Sequence, residues 1–118
     1  MANPNIVNVA TINGKTDVFA LTTTETNLVT ATANTVFKIN SIMVSNIDGT
    51  NAADVTIKYN DGSNDRAIAS TISVPADATL SVVGKDNSFY LEESEIIKGT
   101  ASANSDLECL ISYEIISD

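Results

Sequence analysis

Hydrophobic and polar residues alternate along most of the chain in short runs that end at clusters of Gly, Pro, Asn, Asp or Ser. In "DVTIKYN", Val55, Ile57 and Tyr59 fall on one side and Thr56 and Lys58 on the other. This period of two is typical of strands with one buried face. About eight such runs, with turn signals every 8 to 12 residues or so, predict an all-β fold. No segment has a convincing helical period. We therefore expect an antiparallel β-sandwich of the jelly-roll or Ig-like type.

Two local features refine this pattern. In "TVFKINSIMVSN", Phe37 and Ile39 share one phase, whereas Ile42 and Val44 take the opposite one. Such a change of phase inside one strand predicts a β-bulge, or a second half that is buried on both faces. Pro75 should end the strand "AIASTISV", because proline cannot donate to a central ladder. Alternation in that strand predicts a shared face for Ile68, Ile72 and Val74.

The N-terminal segment "NIVNVATINGKTDVFAL" contains a hairpin signal at Asn13-Gly14. Asn-Gly supplies the positive φ angles of a type I′ turn, so we predict an N-terminal hairpin within residues 1–21 of a single domain, 1–118. An isolated hairpin is marginal alone, and this one carries apolar residues at an end of the chain. It is therefore a candidate attachment element, although it could instead pack as one more pair of strands. The candidate contacts with a partner are Ile6, Val7, Val9, Val18 and Phe19.

The acidic clusters "DGTNAAD" and "DGSND" have two interpretations. Asp48, Asp54, Asp61 and Asp65 could bind a metal ion, or they could form turns. A calcium loop needs oxygen ligands at alternate positions followed by a bidentate glutamate, and these clusters lack that spacing. Asp and Asn accept hydrogen bonds from the backbone of tight turns, and Gly tolerates positive φ. We therefore favour turns, and we predict no metal site.

The charge balance excludes several kinds of partner. The chain of 118 residues has 15 acidic and 6 basic residues, a net charge of −9. Binding to nucleic acid requires a basic footprint, and so does adhesion to an anionic membrane surface. No apolar run approaches the roughly 18 residues of a membrane span, and we expect no secretion signal at the N-terminus, because it lacks a basic region followed by an apolar stretch. We expect no nucleic acid and no membrane among the partners.

The residues that usually carry catalysis are missing. There is no histidine, which removes the usual general base and the commonest transition-metal ligand. The single cysteine, Cys109, lies on the apolar phase of the last strand, which predicts a buried, inert thiol. The "EESE" run, Glu92 to Glu95, could supply paired carboxylates, but we interpret it as a solvated acidic turn. We predict no enzymatic activity and no cofactor.

Four stretches of the chain carry a family resemblance: "NIDGTNAADVTI", "ISVPADATL", "FYLEESEII" and "SANSDLECLISYEIIS". They resemble a family of small virion structural proteins from tailed bacteriophages, especially those of marine cyanobacteria, and the resemblance runs from about Val36 to the C-terminus. It implies a decoration-like β-sandwich that binds a lattice and performs no chemistry. It also implies location in the virion, after assembly in the host cytoplasm. The implied partners are the major capsid protein or other virion proteins, and further copies of this chain in a homo-oligomer.

The leading functional hypothesis is thus a capsid decoration, or cement, protein on the outer head surface. A neck, tail or fibre protein is the alternative. A carbohydrate-binding module is the second alternative, and a concave face collecting Tyr59, Tyr90 and Tyr113 would favour it.

Overall fold

Short β-strands account for most of the chain, as the alternating pattern predicts. A computed structural model describes residues 3–117 and contains, within them, nine strands, one 3-10 turn at Lys85–Asn87 and no α-helix. The all-β class is confirmed, with one strand more than expected. The strands are β1 (Thr11–Ala20), β2 (Thr26–Thr30), β3 (Thr35–Asn46), β4 (Ala53–Asn60), β5 (Asp65–Val74), β6 (Thr79–Val83), β7 (Phe89–Leu91), β8 (Ile96–Ala101) and β9 (Leu107–Ser117).

The strands form two antiparallel sheets that pack face to face. The first sheet has the order β1-β9-β3-β6, with the short β7 also paired to β3, and the second has the order β2-β8-β4-β5. When β7 is left out, the pairs are nested along the chain. Strand β1 pairs with β9, β2 with β8, β3 with β6, and β4 with β5. This is the jelly-roll order, so the sandwich is confirmed and the jelly-roll type describes it.

The core fills the space between the sheets with aliphatic side chains. Ile39 and Ile111 from the first sheet are fully buried, as is Ile57 from the second. The ring of Tyr113 stacks on that of Phe37, with ring centroids 5.1 Å apart. Alternate residues along each strand enter this core because successive side chains point to opposite faces of a sheet.

The bulge and the proline stop are both present. Pairing of β3 with β9 shifts register between Ile39 and Ser41, which places the extra residue at Asn40. This is the position at which the hydrophobic phase changes in the sequence. The strand before Pro75 ends at Val74.

The expected shared face of β5 holds for Ile72 and Val74 but does not extend to Ile68. Val74 and Ile72 lie in regular register beside Ala53 and Val55, although Ile72 is 41% exposed on this edge strand. Val55 pairs with Ile72 but Ile57 pairs with Ala69, so β5 carries an extra residue over this stretch. Thr71 takes a positive φ of 50° there. The bulge breaks the alternation that the sequence pattern assumed.

The predicted N-terminal hairpin is also wrong. Strand β1 continues through Asn13 and Gly14, which lie opposite Ile115 and Glu114 of β9. Gly62 is the glycine with positive φ, so Gly14 does not form a type I′ turn. The ladder to β9 pairs one side of the β1 backbone along its whole length, and a turn here would leave half of that ladder unpaired. The alternative, in which this region packs into the sandwich, holds for residues 11–20.

Two glycines test this correction. We expect Gly14→Ala to leave stability unchanged or to raise it by about 0.5 to 1 kcal/mol, because alanine fits an extended strand and restricts the unfolded chain. Gly62→Ala should cost about 1 kcal/mol, because its φ of 97° strains a residue with a Cβ. Urea unfolding of both variants measures the difference. A larger cost at Gly14 than at Gly62 would restore the hairpin turn.

Candidate interaction surface

The first sheet has one side that faces away from the second sheet, and we call this side the outer face. Val18, Leu110 and Met43 lie side by side there on β1, β9 and β3. Val18 is 62% exposed and Met43 is 36% exposed. By strand alternation, Ile12 lies on the same side as Val18, and it is exposed as well. Exposed aliphatic residues that are grouped in this way indicate a contact surface for another molecule.

The N-terminal segment, residues 3–10, lies against one end of the outer face. Pro4 is buried, and the Asn3 amide donates a hydrogen bond to the Glu92 carboxylate. A shallow groove of about 400 Å³ lies between this segment and the sheet, where Val36 and Tyr90 line its floor. The segment therefore covers Val36, an outward-facing residue that would otherwise be exposed.

The structure separates the five candidate contact residues. Ile6 and Val7 lie in a turn that the Asn8 N–H closes onto the Asn5 carbonyl at 3.0 Å, and Val7 is 83% exposed. Three of the five candidates are exposed and close to or on the outer face. Val9 is half-buried, and Phe19 points inward and packs against the core. The exposed candidates are Ile6, Val7 and Val18.

Three members of the outer face were not predicted from the sequence: Ile12, Met43 and Leu110. Ile12 has the same phase as Val18, and Met43 and Leu110 each lie between two inward-facing residues of their strands. These phases are present in the alternation. They became visible only when the register showed which phase faces the second sheet.

Polar chemistry differs between the two sides of the sandwich. On the second sheet, Lys58 lies directly opposite Lys98, and the two like charges would repel. Glu25 contacts Lys58 at 2.9 Å and Asp65 contacts Lys98 at 3.1 Å. The hydrogen bond to Glu25 raises the pKa of Lys58. By contrast, none of the ion pairs among residues 3–117 lies on the outer face.

Two of the four aspartates close turns, as predicted. Asp48 accepts hydrogen bonds from the backbone N–H groups of Thr50 and Asn51 at 2.8 and 3.2 Å. Asp61 accepts them from Asn64 and Ser63 at 2.8 and 3.0 Å. These bonds favour the charged carboxylates and therefore lower the pKa of both. The turn interpretation is confirmed for both clusters.

The other two aspartates lie in different surroundings. Asp65 accepts a hydrogen bond from the Asn60 amide at 2.7 Å and pairs with Lys98, and both contacts lower its pKa. The backbone N–H of Asp54 donates to the Ser102 hydroxyl at 2.8 Å. Within residues 3–117, no group of three or more His, Cys, Asp or Glu side chains is placed to hold a metal ion.

Glu95 is not part of a solvated turn, which corrects the interpretation of "EESE". Its side chain is buried and accepts hydrogen bonds from the Tyr59 hydroxyl and, at 2.7 Å, from the Glu92 N–H. Burial, followed by the bond to Glu95, raises the pKa of Tyr59. The carboxylate of Glu92 turns instead to Asn3. Glu95 therefore ties the 92–95 turn to the second sheet, and it does not form an acid–base pair with Glu92.

The cysteine and the tyrosines complete the candidate groups. Cys109 is fully buried, as the sequence predicts, and this burial raises the pKa of its thiol to about 12. Tyr113 lies in the core, where its hydroxyl donates to Asp17 at 2.7 Å. Tyr59 and Tyr90 line an open cleft of about 570 Å³ between the sheets. The tyrosines thus do not form the single concave face that sugar binding was expected to need.

The fold is similar to that of two solved structures. A chain from the Bacillus endospore appendages, a family of disulfide-linked pili, matches with a TM-score of 0.54 and 13% identity over 92% of this chain and 88% of its own. A chain from the acid-stable capsid of Helicobacter pylori bacteriophage KHP30 matches with a TM-score of 0.53 and 7% identity, over 92% and 89%. No protein-family model and no curated protein matches the sequence. No helix in residues 3–117 is long and apolar enough to cross a membrane.

Acidification tests the Asp48 turn. Because the folded pKa of Asp48 lies below its unfolded value, its charge stabilises the fold above a pH of about 3.9, and this contribution is lost as the pH falls through the folded pKa. We expect Asp48→Asn to lower the free energy of unfolding at neutral pH, and we expect the difference from wild type to shrink in acid. Asp86→Asn is the control, since no hydrogen bond to the Asp86 carboxylate is found in residues 3–117. A deficit that stays constant with pH would contradict this role.

Proposed function

We propose that the protein is a non-enzymatic structural subunit of a tailed-phage virion, and that it decorates the outer surface of the head. One observation supports this above all. In a chain of net charge −9, the outer face collects exposed aliphatic side chains and lacks ion pairs among the described residues. Large exposed apolar surfaces on small domains are typical of protein contact sites. The fold likeness to a capsid chain and a pilus chain is consistent with an assembling subunit.

The attachment surface in this proposal is the outer face together with the N-terminal turn. Ile6 and Val7 project from that turn, and Val18 projects from β1. The major capsid protein is the proposed partner. Attachment would not use a disulfide, because the chain has one cysteine and that cysteine is fully buried. The ion-paired second sheet would then face solvent.

Charge insertion at the turn tests attachment. We expect Val7→Asp and Ile6→Asp to weaken binding to phage heads about tenfold or more, because a carboxylate would replace an apolar side chain in the buried contact. Ile72→Asp is the matched control for Ile6→Asp, since the exposed fraction of Ile72, 41%, is close to the 48% of Ile6, and Ile72 lies on β5. Co-sedimentation with heads that lack the protein measures binding. Binding by both variants that equals wild type would remove the turn from the contact, and no binding by the wild type would overturn decoration.

Copy number separates the head from the alternative positions. A decoration protein should be present in on the order of hundreds of copies per particle, following the capsid lattice. A neck, tail or fibre protein should be present in about three, six or twelve copies, following the tail axis. Quantitative mass spectrometry of purified virions, or localisation in a whole-particle reconstruction, decides between them.

The cleft beside Tyr90 keeps a carbohydrate-binding module as a lower-ranked candidate. Sugar binding uses open aromatic faces. Here the ring of Tyr59 packs edge-on against that of Phe89, with ring centroids 5.8 Å apart, and its hydroxyl donates a hydrogen bond to Glu95. The ring of Tyr90 is therefore the more open of the two. Glycan binding on an array that Tyr90→Ala abolishes would favour this function.

A further inference from the structure

The four edges of the two sheets are protected to different degrees. An unpaired edge strand is a template for pairing with another chain, and proteins usually shorten or bulge such strands. Strand β2 has five residues and a register shift, and β5 has two shifts. The edge opposite β1 in the first sheet is divided between β6, with five residues, and β7, with three. Each of these three edges is therefore short or irregular.

Strand β1 has no such protection. It has ten residues and pairs with β9 in unbroken register from Thr11 to Ala20. Its other side has no backbone partner within residues 3–117. Strand β1 contains no proline, and its two charged residues have opposite signs. These are Lys15 and Asp17, which lie on the same side of the strand with Nζ and Oδ1 3.8 Å apart.

We propose that β1 pairs antiparallel with β1 of a second copy of the chain, around a two-fold axis at Thr16. Thr16 then lies opposite Thr16 of the second copy. Lys15 lies opposite Asp17 of the second copy, and Asp17 lies opposite its Lys15. Opposite charges at directly opposite positions stabilise an antiparallel pair. A two-fold contact of this kind closes on itself and gives a dimer rather than a fibre.

Charge selects this register from its neighbours. An axis at Lys15 would place the two lysines directly opposite each other, and an axis at Asp17 would do the same with the two aspartates. Like charges in these positions destabilise the pair. An axis at Gly14 or at Val18 would place both Lys15 and Asp17 opposite uncharged residues of the second copy. The axis at Thr16 is the register that pairs all four charges.

Side-chain size on the outer face agrees with the same register. Gly14 lies opposite Val18 of the second copy, and Ile12 lies opposite Ala20, so that each large residue meets a small one. A Cβ at Gly14 would meet no atom within 4 Å, and Val18 is 62% exposed. Space and the side chain to fill it are therefore both present. The two threonines on the axis form a favourable cross-strand pair.

Pairing of this kind joins the two first sheets into one continuous sheet with a shared outer face. It doubles the apolar contact surface and places the two N-terminal turns on a common side. The dimer does not depend on a virion role, because its contacts lie within the chain's own β1. Failure of head binding would thus leave the inference intact, and a monomer would leave head binding intact.

Charge exchange tests the dimer. We expect wild type to dimerise in sedimentation velocity, and Lys15→Glu and Asp17→Lys each to weaken self-association about tenfold or more. Mixed together, the two variants should form a heterodimer. The introduced glutamate of one variant then meets the introduced lysine of the other across the axis, and the native Asp17 of the first meets the native Lys15 of the second.

Matched charge changes away from β1 provide the control. Lys85→Glu and Asp86→Lys lie in the exposed 3-10 turn and should dimerise as wild type does. A monomeric wild type, or self-association that neither β1 variant weakens, would overturn the proposal.

Disulfide cross-linking through a cysteine on the axis tests the register directly and leaves the charged residues unchanged. In Thr16→Cys the two Cα atoms should lie about 4.5 to 5.5 Å apart, within the range of a disulfide. In the control Ala20→Cys they should lie more than about 25 Å apart. The buried Cys109 does not compete. Oxidation should cross-link Thr16→Cys and leave Ala20→Cys unlinked, and equal cross-linking of the two would refute the register even if Asp17→Lys failed to fold.

Discussion

The position of β9 between β1 and β3 is the constraint on which the first sheet depends. This last strand pairs along the whole of β1 on one side and along β3 on the other. Its inward residues, including Leu107 and Ile111, are fully buried. Both partners precede it by most of the chain, so two long loops must close before the sheet gains its hydrogen bonds. The outer face and the open edge of β1 exist only once β9 is in place.

This dependence explains which parts of the fold the sequence predicts. Local signals are reliable where neighbours in sequence decide the structure. The phase change around Asn40 marks the bulge, and Pro75 ends β5. Asn13-Gly14 is an equally strong local signal, but β9 overrides it by offering a complete ladder from the other end of the chain. The bulge in β5 between Ile68 and Ile72 leaves no comparable mark in the alternation.

The candidate surface was only partly predictable for a related reason. Val18 and Phe19 are neighbours of similar hydrophobicity, and nothing in the local pattern indicates which one faces the second sheet. Register with β9 decides this: Phe19 lies beside the buried Cys109, whereas Val18 lies beside the outward Leu110. A shift of one residue would exchange their roles. The hydrophobic residues of a contact surface can therefore be identified from sequence before its orientation can.

The two sides of the sandwich differ in what their burial would cost. Removing Lys58, Lys98 and their carboxylate partners from water would desolvate ions, and this cost is recovered only if every contact with water is replaced. The outer face carries three charged side chains, those of Lys38, Glu108 and Glu114, and its other polar groups are largely hydroxyls, such as Ser45 and Thr79, which bond each other at 3.1 Å. Neutral, paired hydroxyls and aliphatic side chains lose far less on dehydration than ion pairs do. Burial through the outer face is therefore less costly where a partner covers the aliphatic side chains and leaves these three charges in water.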